Sequence, residues 1–288
     1  MNKISSIDNH FGAIMLVASA AVFTADVTVL RFLSHDVPFT LIIFFRSISQ
    51  LLIISIWIFF LPKIPYFSSR WKMLISRGIT SLICWWLYYL SFKKLDLALA
   101  STLTFTSSLF AVVFAPFFLK EKLGLKKSLI TILGFIGILV ASEITNLKVE
   151  IGILLGLGSA IAAAILMIQN RLLVNTEHTA TIMFWIGLVA TVGTLPGTFL
   201  SWTNVAMQDF FILSIAGVLG TIGMLLTVEA FRFGEVSSLA PYPYTRIIFA
   251  LLIGYFLFGE LITFYQFLGA IIIIACSLFA GKKHVKSI

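Results

Sequence analysis

The sequence predicts an all-α integral membrane protein, with ten transmembrane helices arranged as two inverted five-helix repeats, residues 1–147 and 148–288. Three observations carry that prediction. First, 60% of the 288 residues are hydrophobic and 11% charged, whereas soluble chains run nearer half and a quarter. Second, Lys and Arg collect in alternate connecting segments. Third, the chain resembles itself at an offset of 139 or 140 residues.

The spans follow from apolar runs near 20 residues, the length that crosses a hydrocarbon core of about 30 Å. They fall at 11–33, 37–61, 73–94, 97–119, 126–143, 150–173, 179–202, 209–231, 236–258 and 262–280. The first contains Ala18-Ser19-Ala20, which resembles a signal-peptidase site. The apolar run before it is short and continues to Leu33, so the helix is expected to be retained. Charged residues enter the first two spans at Asp26 and Arg46. The third concentrates Trp85, Trp86, Tyr88 and Tyr89 toward one end, and the fourth stops at Lys120-Glu121. The fifth is the shortest, confined between Lys127 and Glu143. In the sixth, Gly152, Gly156, Ala160 and Ala164 recur at a four-residue step, a small-residue stripe that lets helices approach closely. Glu229 closes the eighth. The ninth is broken by Pro241 and Pro243 and carries Arg246 near its middle. Little chain remains for a soluble domain.

With the N-terminus in the cytoplasm, the cytoplasmic segments hold Lys3, Lys63, Arg70, Lys72, Arg77, Lys120, Lys122, Lys126, Lys127, Arg171, Arg232, Lys282, Lys283 and Lys286. The opposite side receives Arg31, Lys93, Lys94 and Lys148. This is the positive-inside bias, which predicts both termini in the cytoplasm. The net charge of +8 is therefore a topology signal and does not point to nucleic acid.

The repeat is clearest where "SFKKLDLALASTLTFTSSLFAVVFAPFFLKEK" from Ser91 meets "AFRFGEVSSLAPYPYTRIIFALLIGYFLFGEL" from Ala230. Asp96 aligns with Glu235, Thr106 with Thr245 and Glu121 with Glu260; near the start of each half, Ser19 aligns with Ser159 and Arg31 with Arg171. Each half holds an odd number of spans, so the second must run through the membrane the other way. Inverted repeats of this kind build carriers, in which bundles rock about a site at mid-membrane.

Catalytic patterns are absent. His10, His35, His178 and His284 are scattered, with no metal-ligand spacing. There is no phosphate-binding loop and no nucleophile elbow. Cys84 and Cys276 lie within spans, which disfavours a disulfide framework. No enzyme activity, metal or cofactor is expected.

What remains is charge inside the membrane, where each group costs about 2.5–3.5 kcal/mol unless paired or hydrated. Asp26 and Arg46 sit at similar depths on consecutive helices, so they either neutralise each other or meet solute. Arg246 has no such neighbour in its own or adjacent spans, where every nearby acid lies at an interface. A guanidinium there suits a carboxylate or phosphate on the solute, gripped through two hydrogen bonds. Pro241 and Pro243 each remove a backbone donor, a break tolerated where freed carbonyls face protein or water. With Tyr242 and Tyr244 beside it, the segment reads as one wall of a cavity or as a kinked packing helix. Trp86 and its aromatic neighbours line that cavity or form an interfacial belt. The candidate solute-binding residues are Arg246, Tyr242, Tyr244, Asp26, Arg46 and Trp86.

The segments "LALASTLTFTSSLFAVVFAPFFLKEKLG", "GFIGILV" and "SSLAPYPYTRIIFALLIGYFLFGE", with "FTADVTVLRFL" and "FFRSI", resemble the EamA-like branch of the drug/metabolite transporter superfamily. The resemblance covers nearly the whole chain. It implies a central cavity and secondary transport, as an exporter, of small metabolites such as amino acids or related zwitterions across a bacterial inner membrane. Glu121 and Glu260 match the acid that closes the fourth and ninth helices. Asp26 and "APYPY" are also similar to S-adenosylmethionine carriers of intracellular bacteria, which makes uptake of a cationic metabolite the alternative. A non-transporting scaffold or sensor is the reading from another class. The expected partners are a small metabolite and membrane lipid.

Overall fold

Phe117, Leu200 and Phe256 are 78, 89 and 78% exposed, whereas Asp26, Arg77 and Ser81 are buried to 1% or less. An apolar exterior around a polar interior is what a lipid-facing surface requires. The chain is described by a computed structural model over residues 6–34, 36–60, 65–92, 94–95, 102–121, 124–141, 151–202 and 205–281. Lys3, Lys63, Lys93, Lys122, Lys148, Lys282, Lys283 and Lys286, with Asp96, Glu143, His35 and His284, lie outside these residues. So do residues 96–101, where the fourth span is expected to begin.

The described residues form α-helices and no strands. In chain order they are α1 (Ser6–Leu30), α2 (Phe39–Phe60), α3 (Trp71–Phe92), α4 (Ser107–Leu119), α5 (Leu125–Ala141), α6 (Ile151–Leu173), α7 (Thr179–Leu200), α8 (Met207–Phe233), α9 (Thr245–Phe258) and α10 (Phe264–Gly281). A helical stretch from Thr102 extends α4. One α-turn, Val236–Leu239, and a 3-10 turn, Tyr242–Tyr244, precede α9.

Where apolar runs alone led to an expectation of ten spans, seven segments among the described residues are long and apolar enough to cross a membrane. They are Asn9–Leu30, Phe39–Phe60, Thr102–Leu119, Ile151–Leu173, Thr179–Leu200, Met207–Phe233 and Val236–Phe258. The others differ for local reasons. Lys72, Arg77 and several serines lower the hydropathy of α3, α5 has only 17 residues, and the apolar part of α10 is Phe264–Phe279.

Helices distant in sequence make the principal contacts. α1 packs on α8 and α9, α2 on α7 and α8, α3 on α6 and α7, α4 on α6, and α5 on α10. Small residues make the close approaches possible. A Cβ on Gly156 would lie 2.7 Å from Leu103, and one on Gly152 2.6 Å from Leu95. The stripe on α6 is thus a packing surface for the α3–α4 region.

The two ends of the bundle differ. At one, Glu121 accepts the backbone N–H groups of Val236 and Ser237 at 3.0 Å each and the Ser237 hydroxyl at 2.7 Å. Arg171 donates to the carbonyls of Phe231 (2.6 Å) and Arg232 (3.2 Å). Arg232 in turn donates to Glu229 at 2.8 Å and to the Val174 carbonyl at 2.7 Å. At the other end, α1 and α9 meet through Arg31 and Glu260 at 3.1 Å, with side chains 43 and 57% exposed. Arg31 also lies 4.7 Å from the Phe258 ring centre.

Candidate functional site

The middle of the bundle is built from α1, α2, α3, α8 and α9. Asp26 on α1 is buried completely, and its Oδ2 lies 2.7 Å from Nη2 of Arg46 on α2. The expected pairing of these residues is present. Its alignment is poor, because neither carboxylate oxygen accepts a hydrogen bond of good geometry among the described residues. Room for the guanidinium comes from Gly220 on α8, where a Cβ would sit 3.0 Å from Arg46 Nη2. Any side chain there would displace the arginine.

Arg46 also lies close to Tyr89 and Tyr88 of α3. Phe39 stacks on Tyr89 at 5.8 Å and meets Trp86 edge-on at 5.7 Å. The Trp86 ring covers Gly197, to which an added Cβ would come within 3.4 Å. Tyr89 and Trp86 thus each meet protein on one side and remain partly exposed. Depth along a helix does not reveal azimuth.

Arg246 enters the same cluster. Asp26 feels the charges of both Arg46 and Arg246, and the Arg246 guanidinium lies 6.0 Å from the Phe23 ring centre. The Thr24 hydroxyl reaches the Arg246 carbonyl at 3.4 Å. Counting along the spans finds no acid at the depth of Arg246 in its own or adjacent spans. The acid comes from α1, a neighbour of α9 only in space. Arg46 is the ion-pair partner of Asp26, and Arg246 stands near enough for its charge to act on the same carboxylate, so two guanidiniums lie in the neighbourhood of one acid.

Tyr242 and Tyr244 are placed elsewhere. Tyr242 is buried in the apolar core with Val228, Phe231 and Leu239. Tyr244 is wedged among Phe105, Ile138 and Ile273. Its ring rests where a Cβ on Gly134 would come within 2.7 Å. The structure brings together Asp26, Arg46 and Arg246 with the aromatic wall of Trp86, and sets the two phenols among packing residues. Among the described residues, no cluster of His, Cys, Asp or Glu has the arrangement of a metal site.

Apolar helices around an interior holding Asp26, Arg46 and Arg246 define a multi-pass membrane protein. The chain belongs to the EamA-like transporter family, whose profile matches it twice, over residues 10–142 and 150–281. It is similar to an S-adenosylmethionine uptake transporter of Rickettsia felis, 27% identical over 85% of this chain and 83% of the relative. It is also similar to the Pseudopaline exporter CntI of Pseudomonas aeruginosa, 24% identical over 94% of this chain and 96% of the other. A solved crystal structure shares the fold with a TM-score of 0.78 at 15% identity, covering 96% of each chain.

Proposed function

We propose that this protein is a secondary transporter of small zwitterionic metabolites that bear a carboxylate, built of ten membrane-spanning helices in two inverted repeats, 1–147 and 148–288. The observation that carries the solute class is that two partly exposed guanidiniums, Arg46 and Arg246, stand around the single buried carboxylate of Asp26. An excess cation at membrane depth is expensive unless water or a counter-charge reaches it. A solute carboxylate bound between Arg46 and Arg246 removes that excess, while Asp26 and the Trp86–Tyr89 wall face the solute's cationic part. Charge-assisted hydrogen bonds to a carboxylate are shorter and stronger than neutral ones, and guanidinium geometry allows two at once.

Support for the inverted repeat comes from contacts that recur at repeat-related positions. The Ser19 hydroxyl donates to the Gly223 carbonyl at 2.8 Å, and its counterpart Ser159 donates to the Cys84 carbonyl at 3.0 Å. Thr106 donates to the Leu103 carbonyl at 2.6 Å, and Thr245 to that of Tyr242 at 2.7 Å. Lys120 and Gly259, at equivalent helix ends, have the left-handed φ values of 55° and 64°. Helix packing follows the same exchange: α1 on α8 corresponds to α6 on α3, and α4 on α6 to α9 on α1. Thr102 and Thr104 stand where the second repeat has Pro241 and Pro243, yet a break precedes both α4 and α9. The prolines therefore reinforce an interruption that the fold makes without them.

The positive-inside skew supports both termini in the cytoplasm, with the Glu121 end inward, and the proposed membrane is a bacterial inner membrane. In a secondary carrier the direction of net flux follows the gradients of solute and coupling ion. The same site therefore serves export of amino-acid-like zwitterions or uptake of S-adenosylmethionine, which is itself a carboxylate-bearing zwitterion with an added sulfonium. The test is counterflow into proteoliposomes of labelled S-adenosylmethionine and of a panel of amino acids, each competed by its carboxyl amide. Exchange of at least one solute is expected, with the amide competing about tenfold more weakly, the scale of one charge-assisted hydrogen bond. Equal competition by the amides would contradict the proposed recognition.

A further inference from the structure

Arg77 on α3 is 1% exposed, a charged residue among the largest of the wholly buried side chains. Its Nε donates to Asn170 Oδ1 of α6 at 2.8 Å, and its Nη1 donates to the Ser81 hydroxyl one turn along α3. Its Nη2 faces only the Met224 thioether of α8, at 3.9 Å. All three partners are neutral, and among the described residues no carboxylate forms an ion pair with Arg77. Acids nearby in the fold have other partners: Asp26 has Arg46, Glu229 has Arg232, and Glu121 has Ser237.

A cation near a helix end ordinarily curls toward the near interface, keeping its charge in water. Arg77 stands six residues from the Trp71 end of α3, about 9 Å at 1.5 Å per residue. Its contact with Ser81 directs the guanidinium the other way, toward the middle of the bundle. There it shares a face of α8 with Arg46. Arg46 packs on Gly220 and Arg77 reaches Met224, four residues and so about 6 Å further along the same helix. The two guanidiniums thus meet α8 one turn apart, with the flexible Met224 side chain against Arg77.

We infer that Arg77 is a second carboxylate-recognition station, to which the solute's anionic group passes from Arg46 and Arg246 when the bundle opens at the Glu121 end. This rests on the carboxylate-solute reading above. Met224 is a movable separator in this scheme, since an unbranched thioether changes rotamer at little cost. At Arg77 the solute supplies the negative charge that the protein does not.

The test uses full-length protein in proteoliposomes, with the labelled S-adenosylmethionine and amino-acid panel and the carboxyl amides added from either face. For Arg77→Met, the preference for carboxylate over amide measured from the Glu121 face should fall about tenfold, with a smaller loss for Arg77→Lys, which keeps the charge but not the fork. The melting temperature of Arg77→Met should match or exceed wild type, because an uncompensated buried charge has been removed. The assignment is overturned if the preference from that face stays within about twofold of wild type for both variants, on the same hydrogen-bond scale. It is equally overturned if both faces lose preference together as the melting temperature falls, the signature of a structural residue. If Arg77→Met does not fold, Arg77→Lys decides by the same criterion. Wild type with no carboxylate preference on either face refutes the solute reading and this inference with it.

Discussion

The Glu121 end and the Glu260 end occupy equivalent positions in the two halves, yet they are held very differently. Glu121 accepts three hydrogen bonds and caps the turn before α9, with Arg171 close enough to feel its charge. Glu260 makes one ion pair with Arg31, in which both side chains are over two-fifths exposed. Charge-assisted bonds to buried backbone N–H groups are worth about 1.5–3 kcal/mol each. An exposed ion pair is worth about 0–1 kcal/mol. The same acid at the same helix end therefore latches one side firmly and the other weakly. In a rocking carrier that imbalance sets which end stands closed in the resting state.

The largest expected effect lies between the two ends. Asp26→Asn leaves Arg46 and Arg246 without a carboxylate and should lower folded yield and nearly abolish exchange. Adding Arg46→Gln should restore yield without restoring exchange, since removing both charges of a buried pair costs less than stranding one. A double variant that expresses no better than Asp26→Asn would show that the pair does not stabilise the fold.

Next is Arg246. Arg246→Gln should weaken solute binding more than about tenfold, and Arg246→Lys somewhat less, because lysine keeps the charge without the bidentate geometry. Carboxyl amides should bind equally to all three proteins. Unchanged exchange by Arg246→Gln would leave Arg246 as a structural charge beside Phe23.

The ends come third. Glu121→Ala strands the N–H groups of Val236 and Ser237 and should shift the balance of end-open forms by about tenfold or more. Glu260→Ala should shift it less than about fivefold, in the opposite sense. Maleimide labelling of single cysteines placed at each end reads both shifts. Equal and parallel responses would erase the distinction between the ends.

The smallest effect belongs to His178, in the loop before α7. Its Nδ1 accepts the Ala180 N–H at 3.2 Å, capping the helix. Burial first, then Arg232, holds the imidazole below its ordinary value near 6.5, with Glu229 opposing. Because the folded state favours the neutral ring, this contribution is full above about pH 6.5 and fades as the pH falls below it. The melting temperature should drop slightly more between pH 7 and 5 for wild type than for His178→Asn, which caps without titrating. Identical slopes would remove His178 from the pH response.

Much of this was legible in the residues. Apolar runs and the alignment of Glu121 with Glu260 anticipate a helical membrane protein, and the matched depths of Asp26 and Arg46 anticipate their pairing. Such readings work because backbone satisfaction in lipid leaves few alternatives to helices, and depth follows from counting along a helix. What counting cannot supply is azimuth and non-sequential neighbours. Tyr89 reads as interfacial by its depth, yet Phe39 of α2 stacks on it. Arg246 seemed isolated because its acid stands on α1, more than 200 positions earlier. Arg77 seemed close to an interface, yet its hydrogen bonds run inward. Tyr242 and Tyr244, adjacent in sequence to the break, turned toward the core because the 3-10 turn rotates them away from Arg246 into apolar company.

Alternating access is the central claim, and it is tested most directly by fixing the weaker end shut. Cys84 and Cys276 are first replaced by Ala, and Arg31→Cys is combined with Glu260→Cys. A short bis-maleimide then cross-links the pair in proteoliposomes. Counterflow of the labelled panel should fall to the level of protein-free vesicles while a cysteine reporter at Glu121 becomes more reactive. Exchange that continues at the uncross-linked rate would contradict the account.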